Sequence, residues 1–374
     1  MILGLIDGNE AIARGAIAAG CRFFAGYPIT PATTIYNAML KLLPPAGGIC
    51  MQGEDEIASI GFCIGASMAG MKVMTATSGP GISLYSEQLS FAIGSEIPLV
   101  IVDVQRLGPS TGSATKGADG DIQFLRWGNS GGLPVIVLAP ADVLDCLVLT
   151  AHAFNLAEEF RCPVFIASNK EIGMTRETVD WKAVSFPPIV HRTAPAEGEA
   201  FLPFAAADDR SAPTFLPIGA DTLVRTTSST HGRDGYITVD PQEIERFQRR
   251  LYNKIESHGQ RFTFYDLHRA PGADTLIVTY GVSARAARIA AKACAEDGHP
   301  VSVLVLKTLW PVPESLIVEA AESYQHILVV EMNLGQYVRE IQRLLPHKDI
   351  RFLGRMDGTL IRPSQIRQEV LGHA

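Results

Sequence analysis

Tyr27-Pro28-Ile29-Thr30-Pro31 is followed by a lone acid, Glu56, and then by Thr77-Ser78-Gly79-Pro80-Gly81. The first and last pieces each sit where a short apolar run gives way to a helical pattern. Residues 22–26 and 72–76 read as strands, and helical periodicity follows each turn. Strand, turn and helix repeating with short joins predict a doubly wound, parallel α/β sheet. Ligands of such sheets bind at the carboxyl ends of the strands, where these turns lie.

The chemistry of each piece is open when it is taken alone. Thr30 reads as a helix cap with Pro31 in the first helical turn, where its missing N–H costs nothing. The same helix start would also present N–H groups and a hydroxyl to a small carboxylate. Glu56 heads a Gly/Ala-rich segment with no further charge until Lys72. It either complements the helix dipole or is a poorly solvated carboxyl suited to hydrogen bonding with a ring nitrogen. Glu54 and Asp55 compete for that role, but the spacing to Gly61, Gly65 and Gly70 favours Glu56. The turn at 77–81 is either an ordinary strand-to-helix join or a close backbone approach to a ligand. It lacks the Gly-x-Gly-x-x-Gly dinucleotide spacing. Arg106 follows the apolar run 99–104 and opens Leu107-Gly108-Pro109-Ser110-Thr111-Gly112. It is either a solvated loop arginine or a clamp for a carboxylate, with Thr111 and Thr115 as hydroxyl donors. Asp119-Gly120-Asp121 with Asn129 imitates a metal–diphosphate motif, but the asparagine comes too soon, and a solvated polar loop is expected.

Working outward, strands are expected at 135–138 and 164–167, and helices at 8–19, 31–43, 56–69, 83–93 and 141–160. The apolar run 57–71 is shorter than a membrane span and reads as a core helix. Residues 181–260 are rich in proline and weakly periodic, with one helix at 241–254; connectors of this kind are usually functional or packed on a partner. A second α/β unit over 261–374 has strands at 275–280, 301–306 and 326–331 and helices at 283–296, 313–323 and 337–345. A short strand and a closing helix complete it.

Length and composition agree with two or three packed domains: 374 residues, 47 % of them hydrophobic. A net charge of −7 without a basic stripe argues against nucleic acid. The six cysteines include no Cys-x-x-Cys pair, and the nine histidines no His-x-x-x-His pair. The cysteines are read as buried hydrophobes of a reducing compartment and no metal site is expected in this chain. With no signal-like N-terminus, a cytoplasmic protein off the membrane is expected.

Taken together, the residues resemble the alpha subunit of the 2-oxoacid:ferredoxin oxidoreductases over nearly the whole chain. The likeness rests on Gly8-Asn9-Glu10-Ala11, the segment 27–31, Glu56 with its glycines, the turn 77–81, and Val102-Asp103-Val104-Gln105-Arg106 with its loop. In the second unit it rests on Leu306-Lys307-Thr308-Leu309-Trp310-Pro311 and Glu331-Met332-Asn333-Leu334-Gly335-Gln336. Ala32 and Thr33 depart from the pair of serines frequent in the family.

The resemblance implies a thiamine diphosphate pyrimidine-binding domain over 1–180, the connector over 181–260 and a transketolase C-terminal-like domain over 261–374. It implies thiamine diphosphate shared with a beta subunit that carries the diphosphate motif, Mg2+ and a 4Fe-4S cluster. Glu56 would hydrogen-bond the aminopyrimidine as the catalytic residue, with Tyr27, Pro28, Ile29 and Ser78 contacting the cofactor. Thr30, Arg106 and Thr111 would bind a 2-oxoacid. The reaction implied is oxidative decarboxylation to the acyl-CoA with electrons passed to ferredoxin or a ferredoxin-like subunit, and a gamma subunit would be a separate chain. Length and arrangement look most like the 2-oxoglutarate enzymes; branched-chain and aryl 2-oxoacids stay open. A non-catalytic assembly module and a self-sufficient relative of acetolactate synthase are the competing readings, and the latter requires a diphosphate motif that is absent.

Overall fold

The computed structural model describes residues 3–198 and 200–372. Outside them lie Met1 and Ile2, at one end of the unit expected over 1–180; Glu199, within the connector; and His373 and Ala374, at the end of the unit expected over 261–374.

The first half runs β1 (Leu3–Asp7), α1 (Gly8–Ala18), β2 (Phe23–Gly26), α2 (Thr33–Leu42), β3 (Ile49–Gln52), α3 (Glu56–Met68), β4 (Val73–Thr77), α4 (Pro80–Leu84), α5 (Ser86–Gly94) and β5 (Leu99–Gln105). It continues through α6 (Ile122–Trp127), β6 (Ile136–Leu138), α7 (Val143–Phe160), β7 (Pro163–Asn169), α8 (Lys170–Met174) and β8 (Arg176–Asp180). The second half holds α9 (Pro241–Glu256), β9 (Tyr265–His268), β10 (Thr275–Tyr280), α10 (Ser283–Glu296), β11 (Val301–Leu306), β12 (Thr308–Trp310), α11 (Glu314–Ala321), β13 (His326–Glu331), α12 (Val338–Leu344), β14 (Asp349–Gly354) and α13 (Pro363–Leu371).

Short polar side chains start many of these helices. Asp7, Asp55, Asp142 and Asn169 each accept a hydrogen bond from the amide three residues on, capping α1, α3, α7 and α8. β4, β5 and β7 are buried along their whole length, which accounts for their near-continuous apolar sequence.

A seven-stranded sheet has the order β12-β6-β7-β5-β4-β2-β3, and a five-stranded sheet the order β14-β13-β10-β11-β9. Pairing is parallel except at one edge of each: β12 on β6, and β9 on β11. β12 follows β11 in the chain yet joins the first sheet, so residues 308–310 tie the two halves together. β1 and β8 form a separate antiparallel pair.

Several expectations need correction. The helix predicted over 83–93 is broken at Tyr85 into α4 and α5. The helix expected to start at Pro31 begins at Thr33, and its cap is Ala32, without a side-chain cap bond. A preceding turn explains the delay, since the Thr33 amide already donates to the Ile29 carbonyl at 2.9 Å. α3 is not wholly a core helix: Ile57 is 48 % and Phe62 43 % exposed, beside the exposed Gly65.

The connector packs along the amino-terminal edge of the first sheet, against residues that precede β4, β5 and β7. Arg192 donates to the carbonyls of Ser67 and Met71 and pairs with Glu158. Arg161 donates to the carbonyls of Pro203, Pro213 and Thr214. Its helix α9 is anchored by Arg250 and Lys254, both paired with the fully buried Glu96.

Candidate active site at the carboxyl edge of the first sheet

Three strand ends converge. β2 leads into the 27–31 segment, β4 into the turn 77–81, and β5 into Arg106. Among the sequence-predicted residues, Glu56 opens α3 and is 7 % exposed, while the Asp55 side chain takes the capping role through the Ala58 amide at 2.7 Å.

The turn 77–81 packs between Glu56 and Arg106. A Cβ on Gly81 would lie 2.0 Å from Thr77 Oγ1 and 2.9 Å from Glu56 Oε1. One on Gly79, whose φ is +49°, would lie 3.1 Å from Arg106 Nε. The two glycines are therefore clearance for the acid on one side and the guanidinium on the other. Ser78 and Thr77 are fully buried and their hydroxyls have no partner.

Arg106 is 5 % exposed; its Nη1 donates to the Thr30 carbonyl at 2.5 Å, while Nε has no partner. Arg106 is therefore not a solvated loop arginine: it is a buried guanidinium with an unsatisfied donor. The Thr30 hydroxyl is not a helix cap, and Thr30 is exposed, as are Thr111 and Thr115. Tyr27 is 37 % exposed, and Pro28 and Ile29 are half-buried with Ile29 against the core.

Residues not singled out as site candidates hold this cradle. Buried Asn9 donates to the Pro31 carbonyl at 3.0 Å and to Thr34 Oγ1 at 2.6 Å, fixing the 27–34 segment. The loop at 119–121, expected to be solvated, is packed inside. Asp119 is 2 % exposed and accepts from Asn169 Nδ2 at 2.7 Å, and burial pushes its carboxyl up to about 7. Asp121 rises to about 6 by burial, with Asp103 and Arg106 opposing the rise. Asp103, fully buried on β5, is driven well above the carboxylate range by burial and then by Asp121 and Asp119. The second unit closes this side. Asn333 donates to the Asp119 carbonyl at 2.9 Å, Gln336 Nε2 to that of Gly120 at 2.5 Å, and Trp310 Nε1 to that of Ile122 at 3.1 Å. A charged residue inside an otherwise apolar strand was the available signal for Asp103.

A family model described as pyruvate flavodoxin/ferredoxin oxidoreductase, thiamine diP-bdg, matches residues 14–248 and so contains every one of these cradle residues except Asn9 and the second unit. The chain belongs to the 2-oxoacid:ferredoxin oxidoreductase alpha subunits. Within this family the pyruvate:ferredoxin oxidoreductase core domain II model matches residues 273–366. The chain is 41 % identical to the 2-oxoglutarate synthase subunit KorA of Methanothermobacter marburgensis, over 98 % of each chain. It is 32 % identical to the ketoisovalerate oxidoreductase subunit VorB of the same organism, over 99 % of this chain and 97 % of VorB. Among solved structures, 2-oxoglutarate:ferredoxin oxidoreductase from Magnetococcus marinus, described with 2-oxoglutarate, coenzyme A and succinyl-CoA bound, superposes with a TM-score of 0.91 at 31 % identity. That match covers 99 % of this chain and 65 % of the other. The family fold is α/β of the thiamine diphosphate-binding type.

Proposed function

We propose that this chain supplies the pyrimidine-binding half of a thiamine diphosphate site that oxidatively decarboxylates 2-oxoglutarate to its acyl-CoA, with electrons leaving to ferredoxin. The observation that carries the reading is that Glu56 and Arg106 flank one two-glycine turn. The residues present fit the cofactor: a buried acid, the unpartnered hydroxyls of Thr77 and Ser78, and glycine clearance at 79 and 81. When bound, thiamine diphosphate supplies the carbanion chemistry that side chains lack.

The chain's own residues bind and orient. Glu56 holds the hydrogen bond to the aminopyrimidine, and Tyr27, Pro28, Ile29 and Ser78 line its place. Arg106 clamps the oxoacid carboxylate, and Thr30 and Thr111 add hydroxyls, so that fixed orientation lowers the entropic part of the barrier. The greater likeness to KorA than to VorB favours 2-oxoglutarate over a branched-chain substrate.

The working units are 1–180, the connector 181–260 and 261–374, with Thr308–Trp310 reaching back into the first sheet. The apolar stripe on α3 beside the cradle, with Ile57, Phe62 and an open Gly65, suits a beta subunit packed against it. That partner would carry Mg2+ and the 4Fe-4S cluster, and ferredoxin and a separate gamma subunit would complete the assembly. No helix among the described residues is long and apolar enough to cross a membrane; we place the complex in the cytoplasm.

Coexpression with a beta-type subunit tests this, with viologen reduction read in the presence of coenzyme A and a panel of 2-oxoacids. Reduction driven by 2-oxoglutarate and absent from either chain alone is expected. Preference for a branched-chain or aryl oxoacid would overturn the substrate. A stable, cofactor-loaded complex inactive on every oxoacid would leave an assembly module.

A further inference from the structure

The acids behind Arg106 have no role in substrate or cofactor binding as described, and their arrangement is unusual. Asp103 is fully buried on β5, three residues before Arg106, and neither of its oxygens receives a well-formed hydrogen bond. Its carboxyl lies within hydrogen-bonding range of the carboxyl of Asp121, whose buried Oδ2 also lacks a donor. Two carboxylates in contact at a buried site do not readily both ionise, and a buried carboxylate facing only the weakly placed Gly79 amide is costly. One proton placed between them removes both problems, because an O–H on one then donates to the other.

We propose that Asp103 and Asp121 share one proton and that this carboxyl pair positions Arg106 for the substrate carboxylate. The inference rests on the reading of Arg106 as a substrate-binding residue. With the proton in place the pair carries one negative charge, opposite the single positive charge of the guanidinium. Arg106 is tethered at Nη1 by the Thr30 carbonyl and free at Nε, so neighbouring charge sets its orientation. Loss of the shared proton adds a second negative charge beside it and draws the guanidinium off the oxoacid.

The charged groups packed on the pair are Asp119 and Arg106, with Glu331 beyond Asp119 and Glu56 beyond Arg106. The uncharged Gly79 amide faces Asp103 from the turn. Main-chain contacts hold the pair in register. The Asp121 amide donates to Gln105 Oε1 at 3.0 Å, and the Asp119 amide to the Met332 carbonyl at 2.9 Å. Asp103 and Asp121 are thus positioning residues that act through Arg106.

The test compares wild type, Asp103→Asn and Asp121→Asn in the assembled enzyme, each checked first for a cooperative thermal transition. In wild type, KM for the oxoacid should climb with pH past the second ionisation of the pair, toward the one-proton limit of about tenfold per pH unit, with a smaller change in kcat. In Asp103→Asn the amide donates to Asp121 at every pH, so that rise should vanish. The same rise in both variants would overturn the positioning role. Infrared spectra of the full chain give a readout independent of turnover: at neutral pH each variant should show one protonated carboxyl fewer than wild type. Equal counts would overturn the shared proton. A wild-type complex inactive on all oxoacids, with the infrared difference present, would reject the substrate role of Arg106 while retaining the pair.

Discussion

Arg106 Nη1 reaches the main-chain carbonyl of Thr30 at 2.5 Å, joining the end of β5 to the loop that follows β2. The bond tethers the guanidinium to the backbone at one nitrogen, leaving its remaining donors for a ligand. Arg106→Lys keeps the charge but loses the planar fork. Hydrogen bonds to charged groups are worth about 1.5–3 kcal/mol, so KM for the oxoacid should rise about 10- to 100-fold, and more in Arg106→Ala. Steady-state kinetics of the complex at one pH checks this; an unchanged KM in Arg106→Ala contradicts the clamp.

Gly81 tests the cradle's shape. The alanine methyl would sit 2.0 Å from Thr77 Oγ1 and 2.9 Å from Glu56 Oε1, so the acid must move. A displacement of about 1 Å at a reacting group costs on the order of 100-fold. Gly81→Ala should lower kcat/KM by about that factor and also lower the melting temperature, since overpacking a buried site costs about 1–3 kcal/mol and the better helix propensity of alanine offsets only part of it. Kinetics and a thermal melt on the same preparation separate the two effects.

Far from the cradle, Glu96 fastens the connector. Its Oε2 lies 2.9 Å from Arg250 Nη1 and 2.8 Å from Lys254 Nζ, all on a fully buried carboxyl. Burial alone would raise this acid, but Lys254 and Arg250 outweigh it and hold it well below the usual carboxylate range. Its folded value is thus depressed, so its contribution to stability is present above the unfolded value of about 4.3 and is lost as pH falls below it. Glu96→Gln leaves two buried cations unpaired and should cost about 3–5 kcal/mol. Denaturant unfolding near neutral pH should show that loss, the gap to wild type should narrow in acid, and limited proteolysis should open 181–240.

Much of this architecture is legible in the sequence where burial is two-sided. β10, β11, β13 and α10 fall where their apolar periods predict, because parallel strands under helices leave continuous hydrophobic runs. The edges are another matter. β3 and β9 are half-exposed and show no such run, and β12 is three residues long, defined only by its partner β6. In the site, Glu56 and Arg106 stand out as lone charges beside apolar segments. Asp103 is marked only by its charge inside the apolar strand β5, and Asn9 and Asn333 by nothing, since their roles arise from contacts between distant segments. The Asp119–Asp121 loop looked solvated because polarity in sequence is silent about what folds over it.

The most direct measurement is the turnover of Glu56→Gln in the assembled complex, with bound thiamine diphosphate quantified in the same sample. Proton transfer by a positioned acid contributes about 100- to 10,000-fold. A loss of kcat in that range is expected, with the complex still formed. Near-normal turnover with full cofactor occupancy would contradict the assignment of Glu56, and with it the reading of this cradle as half of a catalytic site.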